Sequence, residues 1–320
     1  MQVNGGWDPL RKLKLLLITR DFSRHMERSF HYFYQELLPY ADIALHFEDG
    51  DISVILKQLP FKPDFILLND YRNTHCPRIE GLSRLSIPWG IIMHDLHFDV
   101  KGRKTFIQQN QVPVIFTMYR SAFIDRYPEF VSKMRWLPHF AHAPVFRDYH
   151  QAKSIDLLLM GFVERKYYPL RYQMLNHFQG RPGFVYHEHP GYLQFPDHTD
   201  AWIAENYAKE INRSRIFLSC DSILHYPLRK YFEVLACNTL LLAPCNEDLL
   251  ALGFEPGKHF VAITEENFRE QVDFYSARRN QAIVTKIARQ GFEFVHKRHT
   301  SAIRAAEFIR MVQSIIHTGS

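Results

Sequence analysis

Leu228-Arg-Lys-Tyr-Phe-Glu-Val-Leu-Ala-Cys-Asn-Thr-Leu-Leu-Leu-Ala243 reads as a basic turn, a short helix over Tyr231–Asn238 and an apolar strand over Thr239–Ala243. A helix that feeds straight into so short an apolar run points to a strand covered on both faces, as in a parallel sheet. Working outward, the same alternation continues on both sides. Leu157–Met160, Gly183–His187, Ile216–Ser219 and Phe260–Ile263 read as further strands, with helical stretches at Leu170–Phe178 and Trp202–Asn212. Strands alternating with helices imply right-handed crossovers and a sheet with helices on both faces.

The first half repeats the theme. Leu13–Thr19, Ile43–His46, Phe65–Asn69, Trp89–Met93 and Val114–Met118 are short apolar runs ended by polar turn residues. Between the first two, Phe30, Phe33, Tyr34, Leu37 and Leu38 fall on one face of a predicted helix over Arg28–Leu38. The pattern breaks at Leu137-Pro-His-Phe-Ala-His-Ala-Pro144, where two prolines mark a connection. After Glu265 the chain reads as helical, over Asn267–Tyr275, Arg279–Arg298 and Ser301–His317. The expected organisation is two tandem Rossmann-like α/β domains facing across a cleft, at 1–143 and 144–300. A helical tail at 301–320 is available to pack back on the first domain.

Bulk properties agree with a two-domain globular protein. The chain has 320 residues, 46% hydrophobic and 23% charged, enough to bury two cores without a disulfide or metal staple. Cys76, Cys220, Cys237 and Cys245 show no zinc-ligand spacing and read as free thiols of a reducing compartment. The run Leu15-Leu-Leu-Ile-Thr19 is too short for a leader or a membrane span, so the expectation is a cytoplasmic protein without stable membrane insertion. A formal charge of +5 suits an anionic small substrate. It is not the dense basic stripe of a nucleic-acid binder, although it leaves a nucleic-acid acceptor open.

Ligands of open α/β sheets bind at strand C-terminal ends. No G-x-G-x-x-G follows Leu13–Thr19 or Leu157–Gly161, and no Walker loop occurs, which argues against a dehydrogenase or a P-loop enzyme. The pairs His94 with His97 and His139 with His142, and the segment His187-Glu188-His189, lack the form of a zinc motif, so no metal site is expected. His187–His189 is instead a candidate to contact nucleotide or acceptor. Of the abundant aromatics, most read as core.

The opening stretch belongs to an ordered set of motifs. Asp248-Leu, Phe254-Glu-Pro-Gly-Lys-His259, Ile287-Ala-Arg-Gln-Gly291 and His299-Thr300 with Arg304 follow it in turn. In this combination the chain resembles the GT-B glycosyltransferases of the group 1 type, and within them the spore-maturation (CgeB-like) branch. The resemblance covers about residues 155–310 well and the N-terminal half loosely. It implies a GT-B fold and a nucleoside diphosphate sugar as co-substrate, UDP above all, with no further cofactor. It implies that Glu233 binds the ribose hydroxyls, for which an ionised carboxylate is chemically suited. Arg229, with the aromatic Tyr231 in the same motif, falls to the donor site. Backbone N–H groups at Asn238-Thr239 are expected to approach the diphosphate. Asn238 replaces the usual glycine, so the turn there is either left-handed or altered.

Further donor residues follow from the resemblance. His225 stands where relatives often carry a second glutamate, and Asp221 is a candidate to replace that carboxylate. Gly161 begins a loop whose Arg165 and Lys166 are candidates to stabilise the leaving phosphate. Arg171 matches a recurrent arginine. In the first half, Ile87-Pro-Trp-Gly-Ile-Ile-Met-His94-Asp95 resembles the strand and His-Asp of group 1 enzymes, which assigns His94 and Asp95 to the catalytic cleft, with His97 nearby. The implied reaction moves a hexose-type sugar to a hydroxyl acceptor on a glycan, a protein or a small molecule. It is retaining and metal-independent. The rival readings are a sugar-nucleotide epimerase on the same scaffold and a non-catalytic sugar-nucleotide or glycan-binding protein.

Overall fold

The computed structural model describes residues 12–318. In chain order, the first half runs β1 (Leu13–Ile18), α1 (Ser29–Leu37), β2 (Ala41–His46), the two-residue β3 (Gly50–Asp51), α2 (Ile52–Gln58), β4 (Phe65–Asn69), the two-residue β5 (Ile79–Glu80), β6 (Trp89–Met93), α3 (Val100–Gln109), β7 (Val114–Thr117), α4 (Arg120–Arg126) and β8 (Met134–Trp136). The second runs β9 (Ile155–Met160), α5 (Pro169–Phe178), β10 (Phe184–His187), α6 (Ala204–Arg213), β11 (Ser214–Leu218), α7 (Lys230–Ala236), β12 (Leu240–Ala243), α8 (Glu247–Ala251), β13 (Val261–Ala262), α9 (Phe268–Ser276), α10 (Gln281–Arg298) and α11 (Ser301–Thr318).

Two parallel sheets result, ordered β2-β1-β4-β6-β7-β8 and β10-β9-β11-β12-β13, which is the two-Rossmann GT-B architecture. Their central strands are fully buried because Ile, Leu, Val and Phe fill both faces. The sequence pattern missed β8, a three-residue, half-buried edge strand too short to show a period. It also missed the ribbon formed by β3 and β5.

The C-terminal helix α11 belongs to the first core. Phe308 lies 5.3 Å from the ring of Phe33 and 5.1 Å from that of Phe116, and Ala305, Ile309 and Val312 are buried alongside. In the second half, Phe232 and Leu235 of α7 pack with Phe254, Phe260 and Val295 on one face of the sheet. Leu170, Met174, Phe178, Phe268 and Ile287 cover the other. A buried side chain of this size contributes about 2–3 kcal/mol relative to exposure.

Two chain crossings join the halves and lie side by side. Ala141 donates its N–H to the His299 carbonyl (2.9 Å), and Ser301 donates to the Ala141 carbonyl (2.9 Å). Ser301 Oγ also donates to Glu36 of α1 (2.8 Å), which ties this double crossing to the first domain. Because every strand of both sheets is parallel, the loops that leave β1, β4, β6, β9, β10 and β11 all open toward one cleft.

Candidate active site

The cleft is a cavity of about 920 Å³ walled by both halves. Its floor on the second half starts where β9 ends. Gly161 has φ 122°, a conformation that side chains rarely adopt, and a Cβ there would lie 3.3 Å from both Nη1 of Arg171 and Nζ of Lys230. Arg171, buried on α5, stacks over the Tyr168 ring at 4.3 Å and donates Nη1 to the Phe162 carbonyl (2.7 Å). Among the described residues its Nε has no partner. Lys230 opens α7, and burial, reinforced by the Arg171 charge, pushes its ammonium down to about 8.

Glu233 stands three residues further along α7, so its carboxylate shares the cleft-facing side with Lys230. Burial raises its pKa, against the pull of Arg229 and Lys230. The Tyr207 hydroxyl is buried near this carboxylate but completes no hydrogen bond among the described residues. The result is a partly unsatisfied pocket: a buried and a half-buried cation, an unpaired guanidinium nitrogen and a carboxylate. Such groups cost free energy unless a ligand completes them.

Arg229 reaches across the cleft. It pairs with Glu27 and donates to Ser29 Oγ (2.9 Å), both in the segment that enters α1. Burial works to raise the Glu27 pKa, but Arg229 and the hydrogen bonds from Ser29 outweigh it and hold the carboxyl at about 2.

On the first half, His94 follows β6 directly. Its N–H donates to Asp70 Oδ2 (3.2 Å), its Nε2 lies 2.8 Å from Asn69 Oδ1, and its ring stacks on His75 at 4.6 Å. Burial lowers the pKa of His94, with Asp70 opposing. Asp70 itself forms a two-pronged pair with Arg103 (3.2 Å each), both buried. Asp95 is more exposed and 3.5 Å from Arg72.

Of the residues singled out in the sequence, His94, Asp95, His97, Gly161, Arg171, Arg229 and Glu233 line this cavity, as do Glu188 and His189. His187 is withdrawn to Glu210 (2.8 Å). Arg165 and Lys166 lie outside the lining, exposed in the turn before α5 and set over Tyr172 and Tyr167. His225 is also outside it: its backbone has φ 53° and its side chain is 76% exposed, held 2.9 Å from Asp221. Tyr231 is core, with its hydroxyl donating to the Pro244 carbonyl.

The expectation for Asn238-Thr239 needs correcting. Helix α7 begins at the cleft and runs back along the sheet, so the turn between α7 and β12 emerges at the opposite sheet edge. There the Asn238 N–H is already given to the Leu235 carbonyl (3.0 Å), its side chain to Asp148 (2.8 Å), and Thr239 Oγ1 to the Ile211 carbonyl (2.8 Å). Asn238 does adopt the left-handed conformation, at φ 52°.

The sequence reading missed Lys230, although it sits inside the quoted motif, and it missed Tyr207 and Glu27. For the latter two no local signal exists, because only the folded cleft brings them to Glu233 and Arg229. Among the described residues, no group of three or more His, Cys, Asp or Glu side chains is placed to hold a metal ion, and no helix is long and apolar enough to cross a membrane.

Residues 171–310 match the family described as glycosyl transferase-like. No curated protein matches the chain. Among solved structures, Anabaena Alr3699/HepE in complex with UDP and glucose superposes over 94% of this chain and 100% of its own, with TM-score 0.65 and 11% identity. A glycosyltransferase from Rickettsia africae covers 96% and 99%, with TM-score 0.67 and 10% identity. Sucrose-phosphate synthase from Thermosynechococcus elongatus covers 96% and 100%, with TM-score 0.65 and 11% identity. At such identities the likeness is one of fold: this chain has the GT-B fold over its whole described length.

Proposed function

We propose that the chain is a glycosyltransferase that moves a hexose-type sugar from a UDP-sugar to a hydroxyl acceptor on a glycan, a protein or a small molecule. The observation that carries this reading is the unsatisfied pocket in which Arg171 and Lys230 flank Gly161, with the Glu233 carboxylate beside them. Two fixed cations match a diphosphate, and a carboxylate one helix turn away matches a vicinal diol. The glycosyl transferase-like match over residues 171–310 supports the same assignment, and HepE, a fold neighbour, is known with UDP and glucose bound.

In this reading the β-phosphate sits against Gly161, where the missing Cβ lets backbone and cations approach. As the bond from sugar to phosphate lengthens, negative charge builds on the phosphate, and Arg171 and Lys230 already stand there to stabilise it. Protein cations thereby supply the neutralisation that other transferases take from a divalent ion, which supports metal independence. His94 faces the reacting sugar from the first half, with Asp95 at the rim. The resemblance to the group 1 enzymes and their spore-maturation branch adds front-face transfer with retention, the leaving phosphate taking the acceptor proton. We take 1–143 as the acceptor half, 144–300 as the donor half, and the cytoplasm as the working compartment.

The test is nucleotide binding. UDP should raise the melting temperature of the wild type, and Glu233→Ala should weaken UDP binding by about 30- to 150-fold, the worth of charge-assisted hydrogen bonds of about 2–3 kcal/mol. Unchanged affinity in a folded Glu233→Ala protein removes the assignment. Incubating UDP-glucose without acceptor tests the chemistry, because an isomerised sugar nucleotide as product sinks the transferase reading.

A further inference from the structure

His94 stands half-buried at the junction of the two halves, and the atoms around it decide which of its two nitrogens carries the proton. Its Nε2 lies 2.8 Å from Asn69 Oδ1, while the Asn69 amide nitrogen lies 3.0 Å from Thr19 Oγ1. Thr19 has a single hydroxyl hydrogen, and the Arg20 carbonyl 2.9 Å away takes it, with the His75 carbonyl at 3.4 Å as the alternative. Thr19 Oγ1 therefore has only lone pairs to offer Asn69, so the amide must present its NH₂ there. The amide oxygen is then left for His94, and an oxygen accepts only from Nε2–H. Thr19 and Asn69 are 2% and 0% exposed, so water cannot substitute for either partner.

We infer that Thr19 and Asn69 are positioning residues that hold neutral His94 as its Nε2–H tautomer, leaving Nδ1 as a hydrogen-bond acceptor for a ligand hydroxyl. Among the described residues Nδ1 has no hydrogen-bond partner, and His94 lines the cavity. The ring cannot swing to exchange its nitrogens freely. Nε2 is tied to Asn69 Oδ1 and His75 lies flat against the imidazole at 4.6 Å, while the backbone N–H of His94 is anchored on Asp70, which Arg103 holds with two hydrogen bonds. Lowering of its pKa by burial keeps the ring neutral near pH 7. A ligand group that only accepts, such as a phosphate or carbonyl oxygen, finds no donor on this ring. A sugar or acceptor hydroxyl finds a lone pair.

The tautomer follows from geometry alone, and the identity of the hydroxyl rests on the sugar-transfer reading. The experiment is nitrogen NMR of the full chain carrying ¹⁵N-imidazole histidine at pH 7.5, with the His94 signals identified by their loss in His94→Gln. The expected spectrum has a pyrrole-type Nε2 and a pyridine-type Nδ1. Asn69→Leu should collapse the two toward the averaged positions of a freely exchanging ring. If Asn69→Leu does not fold, Thr19→Val should give the same collapse, and Thr19→Ser, which keeps the hydroxyl, should retain the wild-type pattern.

A pyridine-type Nε2 in the wild type, or an unchanged pattern in folded Asn69→Leu or Thr19→Val, overturns the inference. Adding UDP-glucose, with UDP alone as the control, separates the sources of the hydroxyl. A Nδ1 shift specific to UDP-glucose assigns it to the donor sugar, and bound UDP-glucose without that shift assigns it to the acceptor. Failure of UDP-glucose to raise the melting temperature defeats the transfer reading while leaving the tautomer standing.

Discussion

At Gly161 the backbone turns through φ 122°, and any Cβ would stand 3.3 Å from each of two cationic nitrogens. Gly161→Ala therefore strains the turn and pushes Arg171 and Lys230 off the line on which a diphosphate lies. The expected result is an intact fold, with UDP affinity lowered about tenfold or more by isothermal titration, since about 1.4 kcal/mol suffices for each factor of ten. Lys230 gives the site a pH dependence of its own. Burial first, then the neighbouring Arg171, lower its pKa to about 8 in the empty protein, so above that pH the site loses one of its cations. A bound diphosphate favours the charged form and raises this pKa, so UDP binding takes up a proton. Affinity for UDP should fall by about tenfold per pH unit above about 8, from one-proton linkage. Lys230→Arg should flatten that limb, because guanidinium stays charged.

Helix α7 shows how one element was legible in kind while its ends were misread. Its apolar face and the strand after it are plain in Tyr231–Ala243, and the lengths of the strands fell within a residue or two of β4, β6, β9 and β12. Which of its residues reach the ligand depends on direction. Lys230 and Glu233 sit at the end that meets the cleft, whereas Asn238 and Thr239 come after the helix has run the depth of the sheet. Sequence gives the order of residues along such a helix, and only the parallel topology says which end faces the ligand. Glu27 and Tyr207 were invisible for a stronger reason, since their partners are distant in the chain. The helix is also held from behind. Gly291 of α10 packs so closely that a Cβ there would fall 2.4 Å from the His259 carbonyl oxygen and 3.0 Å from Leu235 Cδ2. A backbone oxygen cannot yield as a side-chain tip does, so Gly291→Ala must move α10 away from the His259 turn and disturb its packing on Leu235 of α7. The expected cost is about 1–3 kcal/mol, seen as a lower urea midpoint with UDP affinity reduced in step, because α7 carries Glu233.

At the scale of the molecule, the two halves meet along three lines: the double crossing at Ala141 and Ser301, the packing of α11 on the first core, and a set of contacts over the cleft. In the last set, Met26 donates to the Leu193 carbonyl (2.9 Å) and Phe195 to that of Arg24 (2.8 Å), so a loop of the second half lies along a loop of the first. Beneath it, Glu27 pairs with Arg229 and accepts the Ser29 N–H (2.7 Å) at the start of α1. The acid end of this tie across the cleft is strongly shifted. Its carboxyl is held at about 2 against a usual 4.5, because Arg229 and Ser29 together outweigh the cost of burial. A depressed carboxyl pKa stabilises the folded state above the unfolded value and ceases to do so as pH falls through the folded one. The pair should therefore contribute about 3 kcal/mol at neutral pH, at about 1.4 kcal/mol for each tenfold change in proton affinity, and lose it between about pH 4.5 and 2. Glu27→Gln keeps the shape and cannot ionise. Urea denaturation at stepped pH should show the wild type more stable than Glu27→Gln at pH 6, with the two curves converging as pH falls through that window. Parallel curves across it would mean that the joint between the halves rests on packing and backbone contacts alone. In the convergent case acid loosens the cleft first at Arg229, the residue that joins the donor motif to the opposite wall.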